Sequence, residues 1–124
     1  MSGAMVLRTI SFAIAISLAS AVGAQGGSGF LEDVDDLPLP EGFVEDSGTR
    51  MVFDKPEGRI VDTAASGTGD ANRVLAFYAR TLPALGWQAR NGNSWRRGDE
   101  NMELTVAQNG SQVVVRFLVT PAGP

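Results

Sequence analysis

The dipeptide Asn109-Gly110, set between two alternating runs, constrains this chain more than any other feature. Met102, Leu104 and Val106 precede it at every second position, and Val113, Val115 and Phe117 follow it at the same spacing. Successive side chains of a strand point to opposite faces, so each run has one apolar and one polar face. Asn-Gly is the strongest short hairpin signal, because both central residues of a type I′ turn need positive φ. A loop of Asn109 and Gly110 pairs Gln108 with Ser111. Counting outward then pairs Val106 with Val113, Leu104 with Val115 and Met102 with Phe117. The same count sets Glu103 opposite Arg116 on the other face, an opposite-charge pair. A register that slipped by one residue would put charges among the apolar set.

Upstream the period changes. Val74, Leu75, Tyr78, Leu82 and Leu85 recur at helical spacing, with Phe77 flanking the stripe and Arg73 and Arg80 toward the other side. Asp70 is placed as the N-cap, where its carboxylate accepts from first-turn amides. Gly86 is placed to end the helix in the left-handed conformation. Pro83 has no N–H to donate, so the helix is expected to kink or loosen between Ala79 and Pro83.

Before the helix, Met51-Val52-Phe53 and Arg59 to Thr63 flank Asp54-Lys55-Pro56-Glu57-Gly58. Pro56 is preset for the second turn position and Gly58 is free to take positive φ. After the helix, Trp87 to Arg90 and Ser94 to Arg97 flank Asn91-Gly92-Asn93. The predicted order is β-β-α-β-β-β-β. This is an α+β fold, an antiparallel sheet of about five to six strands with one helix packed on one face.

The N-terminal part has another character. Arg8 is the first charge, and Thr9 to Ala21 are apolar or small, with Phe12, Ile14, Ile16 and Leu18 at the centre. Val22-Gly23-Ala24 follows. A positive start, a short apolar core and small residues at −3 and −1 describe a secretory signal peptide, residues 1–24, cleaved after Ala24. The alternative is an uncleaved anchor, which needs about 20 mostly apolar residues. Residues 25–40 run from a Gly-rich stretch through Glu32, Asp33, Asp35 and Asp36 to Leu37-Pro38-Leu39-Pro40. That composition is expected to form a flexible acidic arm. Its carboxylates lack the spacing of a dedicated calcium loop. The α+β domain is assigned to residues 41–120 and a short tail to residues 121–124.

The run Phe77-Tyr78-Ala79-Arg80-Thr81-Leu82-Pro83-Ala84-Leu85-Gly86-Trp87 resembles small exported bacterial proteins and lipoproteins. In these a helix ends Phe-Tyr-x-x-x-Leu-Pro-x-x-Gly-Trp and antiparallel strands follow. The stretch from Val52 to Gly67 resembles alphaproteobacterial members of that kind. The likeness spans residues 38 to 119 and implies the fold but no activity, since those families carry no agreed role. Lipoprotein members have a cysteine at the cleavage site. This chain has none, which implies a form without a lipid anchor.

The residue inventory excludes much chemistry. There is no histidine and no cysteine. Histidine acid–base catalysis, common zinc sites, thiol nucleophiles and disulfides are therefore absent. Ser66 does not lie in a nucleophile elbow, and Gly67-Thr68-Gly69 lacks the P-loop lysine. Outside the signal segment, nine basic residues face 14 acidic ones, which argues against nucleic acid or an anionic membrane as partner. Tyr78, Trp87 and Trp95 are candidates for an aromatic binding surface, with core packing the alternative. Trp95-Arg96-Arg97 is a candidate anion site, but alternation puts the two arginines on opposite faces.

No catalytic, metal or cofactor residues are assigned. The expected function is an exported, non-catalytic module of the periplasm or cell envelope that binds another envelope protein or peptide. The mode considered is strand addition at a sheet edge. Two alternatives are a small carboxylate-dependent hydrolase using acids among Asp46, Asp54, Glu57 and Asp62, and a membrane-anchored accessory subunit.

Overall fold

A computed structural model describes residues 29–123. The expected signal peptide and its cleavage position lie outside these residues. Among the described residues, seven strands form one antiparallel sheet and a single α-helix covers part of one face. The strands are β1 (Val44–Glu45), β2 (Met51–Lys55), β3 (Gly58–Thr68), β4 (Gln88–Ala89), β5 (Ser94–Arg97), β6 (Glu100–Asn109) and β7 (Gln112–Pro121); the helix is α1 (Ala71–Ala84). The α+β class and the predicted element order stand, with β1 as an added strand. This two-residue strand, too short to register as a pattern, pairs with β3.

The sheet runs β1-β3-β7-β6-β5-β4, and β2 also pairs with β3, at the opposite end of that strand from β1. The helix-side face carries Val61, Thr63, Ala65 and Gly67 of β3, Val113, Val115, Phe117 and Val119 of β7, and Met102 and Leu104 of β6, all buried. Val74, Tyr78 and Leu82 of α1 pack onto this face, with Phe77 and Leu85 beside them. Leu75, expected on the stripe, is half-buried on its flank and lies outside the core cluster.

Local chemistry sets the helix ends as predicted. The Asp70 carboxylate accepts from the Asn72 amide at 2.7 Å. Gln108 adds a second link, its Oε1 accepting from the Ala71 amide at 2.8 Å and its Nε2 donating to the Gly69 carbonyl at 2.8 Å. At the other end the Trp87 amide donates to the Leu82 carbonyl and the Gly86 amide to the Pro83 carbonyl, with Gly86 at φ +94. These two bonds are the Schellman motif, and Leu82 and Trp87, both buried, are its usual hydrophobic pair. The helix is continuous from Ala71 to Ala84, so the loosening expected between Ala79 and Pro83 does not break it. Pro83 sits in the last turn, where its missing N–H removes only one internal bond.

The C-terminal hairpin keeps its predicted faces but not its register. Asn109 pairs with Gln112, so the loop is Gly110-Ser111. Val106 therefore faces Val115, Leu104 faces Phe117, Met102 faces Val119, and Arg116 stands opposite Thr105 rather than Glu103. Gly110 has φ +65 while Asn109 and Ser111 stay at negative φ. Positive φ at the first central residue alone is the pattern of a type II′ turn. The shift of two residues preserves every side chain's face and brings Val119 into the buried set. Gly110→Ala is expected to cost about 1–2 kcal/mol through its backbone conformation, since a Cβ there meets open space. Asn109→Ala should cost less than about 0.5 kcal/mol. Thermal unfolding of the two variants distinguishes this turn from the type I′ alternative, in which both residues would need positive φ.

Residues 29–40 are not a flexible arm. Leu31, Val34, Leu37 and Leu39 are buried in the core with Phe43. The Leu31 amide donates to the Leu37 carbonyl, the Leu39 amide to the Gly29 carbonyl, and Phe30 bridges to Pro38. The Tyr78 hydroxyl donates to the Pro38 carbonyl at 2.8 Å. The segment lies on the helix side of β3, where a Cβ on Gly67 would stand 2.6 Å from the Phe43 ring. Glycine at that position opens the space the ring fills. Four apolar anchors outweigh the acidic composition, because the carboxylates stay at the surface while the leucines enter the core.

Candidate functional site

Among the described residues, nothing covers the side of the sheet away from α1. Register places Val44, Met51 and Phe53 on it, opposite Ser66, Asp62 and Ile60 respectively. Val114, opposite Ser66 from the other side, joins them. These four are among the six large apolar side chains that stand exposed among the described residues, with Val44 at 62%, Phe53 at 51% and Met51 at 48%. Ile60, opposite Phe53, and Leu118, opposite Asp62, are half-buried on the same face. The apolar surface gathers toward the β1–β2 side of the open face.

One cross-strand row runs from the edge into the sheet, Met51–Asp62–Leu118–Glu103–Ser94. Asp62 is held by a bidentate contact from Arg116, Nε at 2.9 Å and Nη2 at 2.7 Å. The Arg116 hydrogen bonds hold the Asp62 carboxyl below its ordinary value, against a smaller opposing effect of burial. Arg116 is largely exposed, so the pair orders the surface more than it stabilises the fold. Beyond Leu118 the face dips into a shallow depression bordered by Arg90, Ser94, Asn101, Glu103 and Thr120.

The two sheet edges differ. The β4 edge offers two residues. At the other edge, among the described residues, β2 pairs only with β3, and all five of its residues are exposed. Along this edge the helix-side flank is polar. Arg50 contacts Asp33 at 3.0 Å, Glu32 at 3.2 Å and Glu45 at 3.5 Å. Glu45 also accepts from the Thr63 hydroxyl at 2.6 Å and from the Glu32 amide at 3.1 Å. Arg59 donates to the Asp33 carbonyl. This network pins residues 29–45 against β3.

The aromatic candidates are packing residues. Tyr78, Trp87 and Trp95 are all buried. Tyr78 stacks edge-on against Phe77 and Phe117, and burial pushes its hydroxyl pKa up. The Arg97 guanidinium lies 4.5 Å from the Trp87 ring centroid and donates to the Leu85 carbonyl, while Trp87 Nε1 has no partner among the described residues. Arg97 is therefore on the helix side, and Arg96 faces the open side opposite Asn101 and Gln88. The two do not converge on one ligand.

Of the four acids considered for hydrolysis, Asp46 accepts from the Gly48 amide in the turn at residues 47–49 and Asp62 is paired with Arg116. Asp54 and Glu57 are exposed in the β2–β3 hairpin. Among the described residues no cluster of three or more acidic side chains is arranged to hold a metal ion, and no helix is long and apolar enough to cross a membrane.

No local sequence pattern marks Val44, Met51 and Phe53 as exposed. Met51-Val52-Phe53 is a continuous apolar run, a pattern that by itself does not say which face is buried. The available signal was its failure to alternate beside Asp54-Lys55-Pro56, a charged and proline-containing end typical of an edge. In comparisons with known proteins, no family model, no curated protein and no solved structure matches this chain.

Proposed function

We propose that this chain is an exported, non-catalytic binding module that takes an extended segment of another cell-envelope protein or peptide along β2 and the adjoining open face. Export rests on the N-terminal sequence pattern. Binding rests on one observation: β2 is an edge strand with all five residues exposed, three of them large and apolar. An unpaired apolar edge is a ready template for another strand, and proteins ordinarily cover or charge it. Here only Asp54 and Lys55 at one end carry charge. Main-chain hydrogen bonds would supply affinity, and Met51 and Phe53 would read the side chains that land beside them. The non-catalytic part of the reading is supported by the lack of histidine and cysteine and by the separate uses of Asp46 and Asp62.

The test is a double substitution, Met51→Glu with Phe53→Glu, compared with the unaltered chain in capture from the envelope fraction of the native host. Both side chains are exposed, so unfolding free energy should change by no more than about 1 kcal/mol. A saturable partner held by the unaltered chain and lost by the variant is the expected result. A partner retained equally by both would remove β2 and the open face from the function.

A further inference from the structure

We infer that the segment received at β2 alternates basic and apolar residues, a choice that rests on the strand-binding reading above. Two flanks of the same edge carry the argument. A strand laid beside β2 presents alternate side chains to the two sides of the sheet. On the open side it meets Met51, Phe53 and, at the end of the strand, Lys55, with Asp62 behind Met51 and Ile60 behind Phe53. Apolar side chains at every second position would bury that surface.

On the helix side the added strand meets Val52 and Asp54, with the acidic network next along the edge. Glu32, Asp33 and Glu45 share the single Arg50 guanidinium, and Glu32 remains 68% exposed. With Asp54, four carboxylates stand against two guanidiniums, those of Arg50 and Arg59, and Arg59 is directed at a backbone carbonyl. This flank therefore has excess negative charge. Lys or Arg at the intervening positions of the incoming strand would complement it, and acidic residues there would be repelled.

The same charges argue against a second copy as the occupant. On the helix side β2 itself offers Val52 and Asp54, with Arg50 just before the strand, and so no net positive charge. A second copy would also bring its own acidic flank against this one, on a chain whose net charge is already −4.

The experiment uses synthetic peptides on the chain that begins after the expected cleavage position. The probe is Lys-Leu-Arg-Val-Lys-Leu-Arg. The controls are Glu-Leu-Asp-Val-Glu-Leu-Asp and a scrambled probe of the same composition without alternation. Affinity is read by calorimetry at low and high salt, and the site by hydrogen exchange of the β2 amides.

Saturable binding of the probe, slowed exchange across Met51 to Lys55, and affinity at least about tenfold above both controls are expected, with weakening as salt rises. Asp54→Lys and Phe53→Lys, both exposed positions, should each reduce the affinity severalfold with the thermal midpoint little changed. If the acidic control or the scrambled probe protects β2 as well as the probe does, the edge still takes a strand but the alternating basic rule is wrong. If no peptide alters β2 exchange, both the rule and the strand-binding reading fail. Sedimentation of the protein alone as a dimer with protected β2 amides would make a second copy the occupant and overturn the inference.

Discussion

Replacing Leu37 by alanine is expected to lower the unfolding free energy by about 2–5 kcal/mol. Its side chain is fully buried, although it lies in a stretch whose composition reads as a solvated tail. The Leu37 amide donates to the Val34 carbonyl, and its own carbonyl accepts from Leu31, so the backbone holds the side chain in place. Truncation leaves a void in the core that this short loop closes poorly, because nearby Pro38 and Pro40 have restricted backbones. Chemical denaturation with an unchanged m-value is the check. Asp35→Ala, two residues away and exposed, should shift stability by less than about 0.5 kcal/mol. Equal, negligible effects at both positions would return residues 29–40 to the status of a detached arm.

Phe117→Ala should cost about 3–5 kcal/mol. The ring is fully buried at the point where three parts of the molecule meet. It stands opposite Leu104 of β6 and opposite Thr63 of β3, and its centroid is 5.7 Å from that of Tyr78 in an edge-to-face contact. Tyr78 in turn holds the N-terminal segment through Pro38. Loss of the ring removes the surface against which Tyr78 packs, so the cost includes a cavity as well as the transfer free energy. Equilibrium unfolding by denaturant is the measurement. A loss below about 1 kcal/mol would show that the helix and the loop settle into the gap.

These two positions mark opposite limits of what a sequence discloses. Phe117 was legible as a core residue because it sits on an alternating run beside a turn signal. Leu37 was not, because Leu31, Val34, Leu37 and Leu39 follow neither a two-residue nor a helical period. Their burial depends on a sheet surface left uncovered beside a 14-residue helix, and no local pattern records that surface. The same holds for the candidate site. A continuous apolar run means a doubly buried strand only if something lies on each face, and at β2 nothing among the described residues does.

Features of local origin are readable from the order of amino acids. The Asp70 cap, the Gly86 stop, positive φ at Gly58 and the apolar face of each long strand follow from hydrogen-bonding capacity, backbone sterics and side-chain period. Each involves residues a few positions apart. The tertiary structure alone decided the hairpin register, the docking of residues 29–43 and the exposure of Met51 and Phe53. A shift of two residues leaves every side chain on the same face, so alternation cannot distinguish one register from the next. The pairing along β6 and β7 that places Val119 beside Val61 of β3 selects between them. Likewise, whether an apolar residue is core or docking surface depends on which other elements reach it, a property of distances across the fold rather than along the chain.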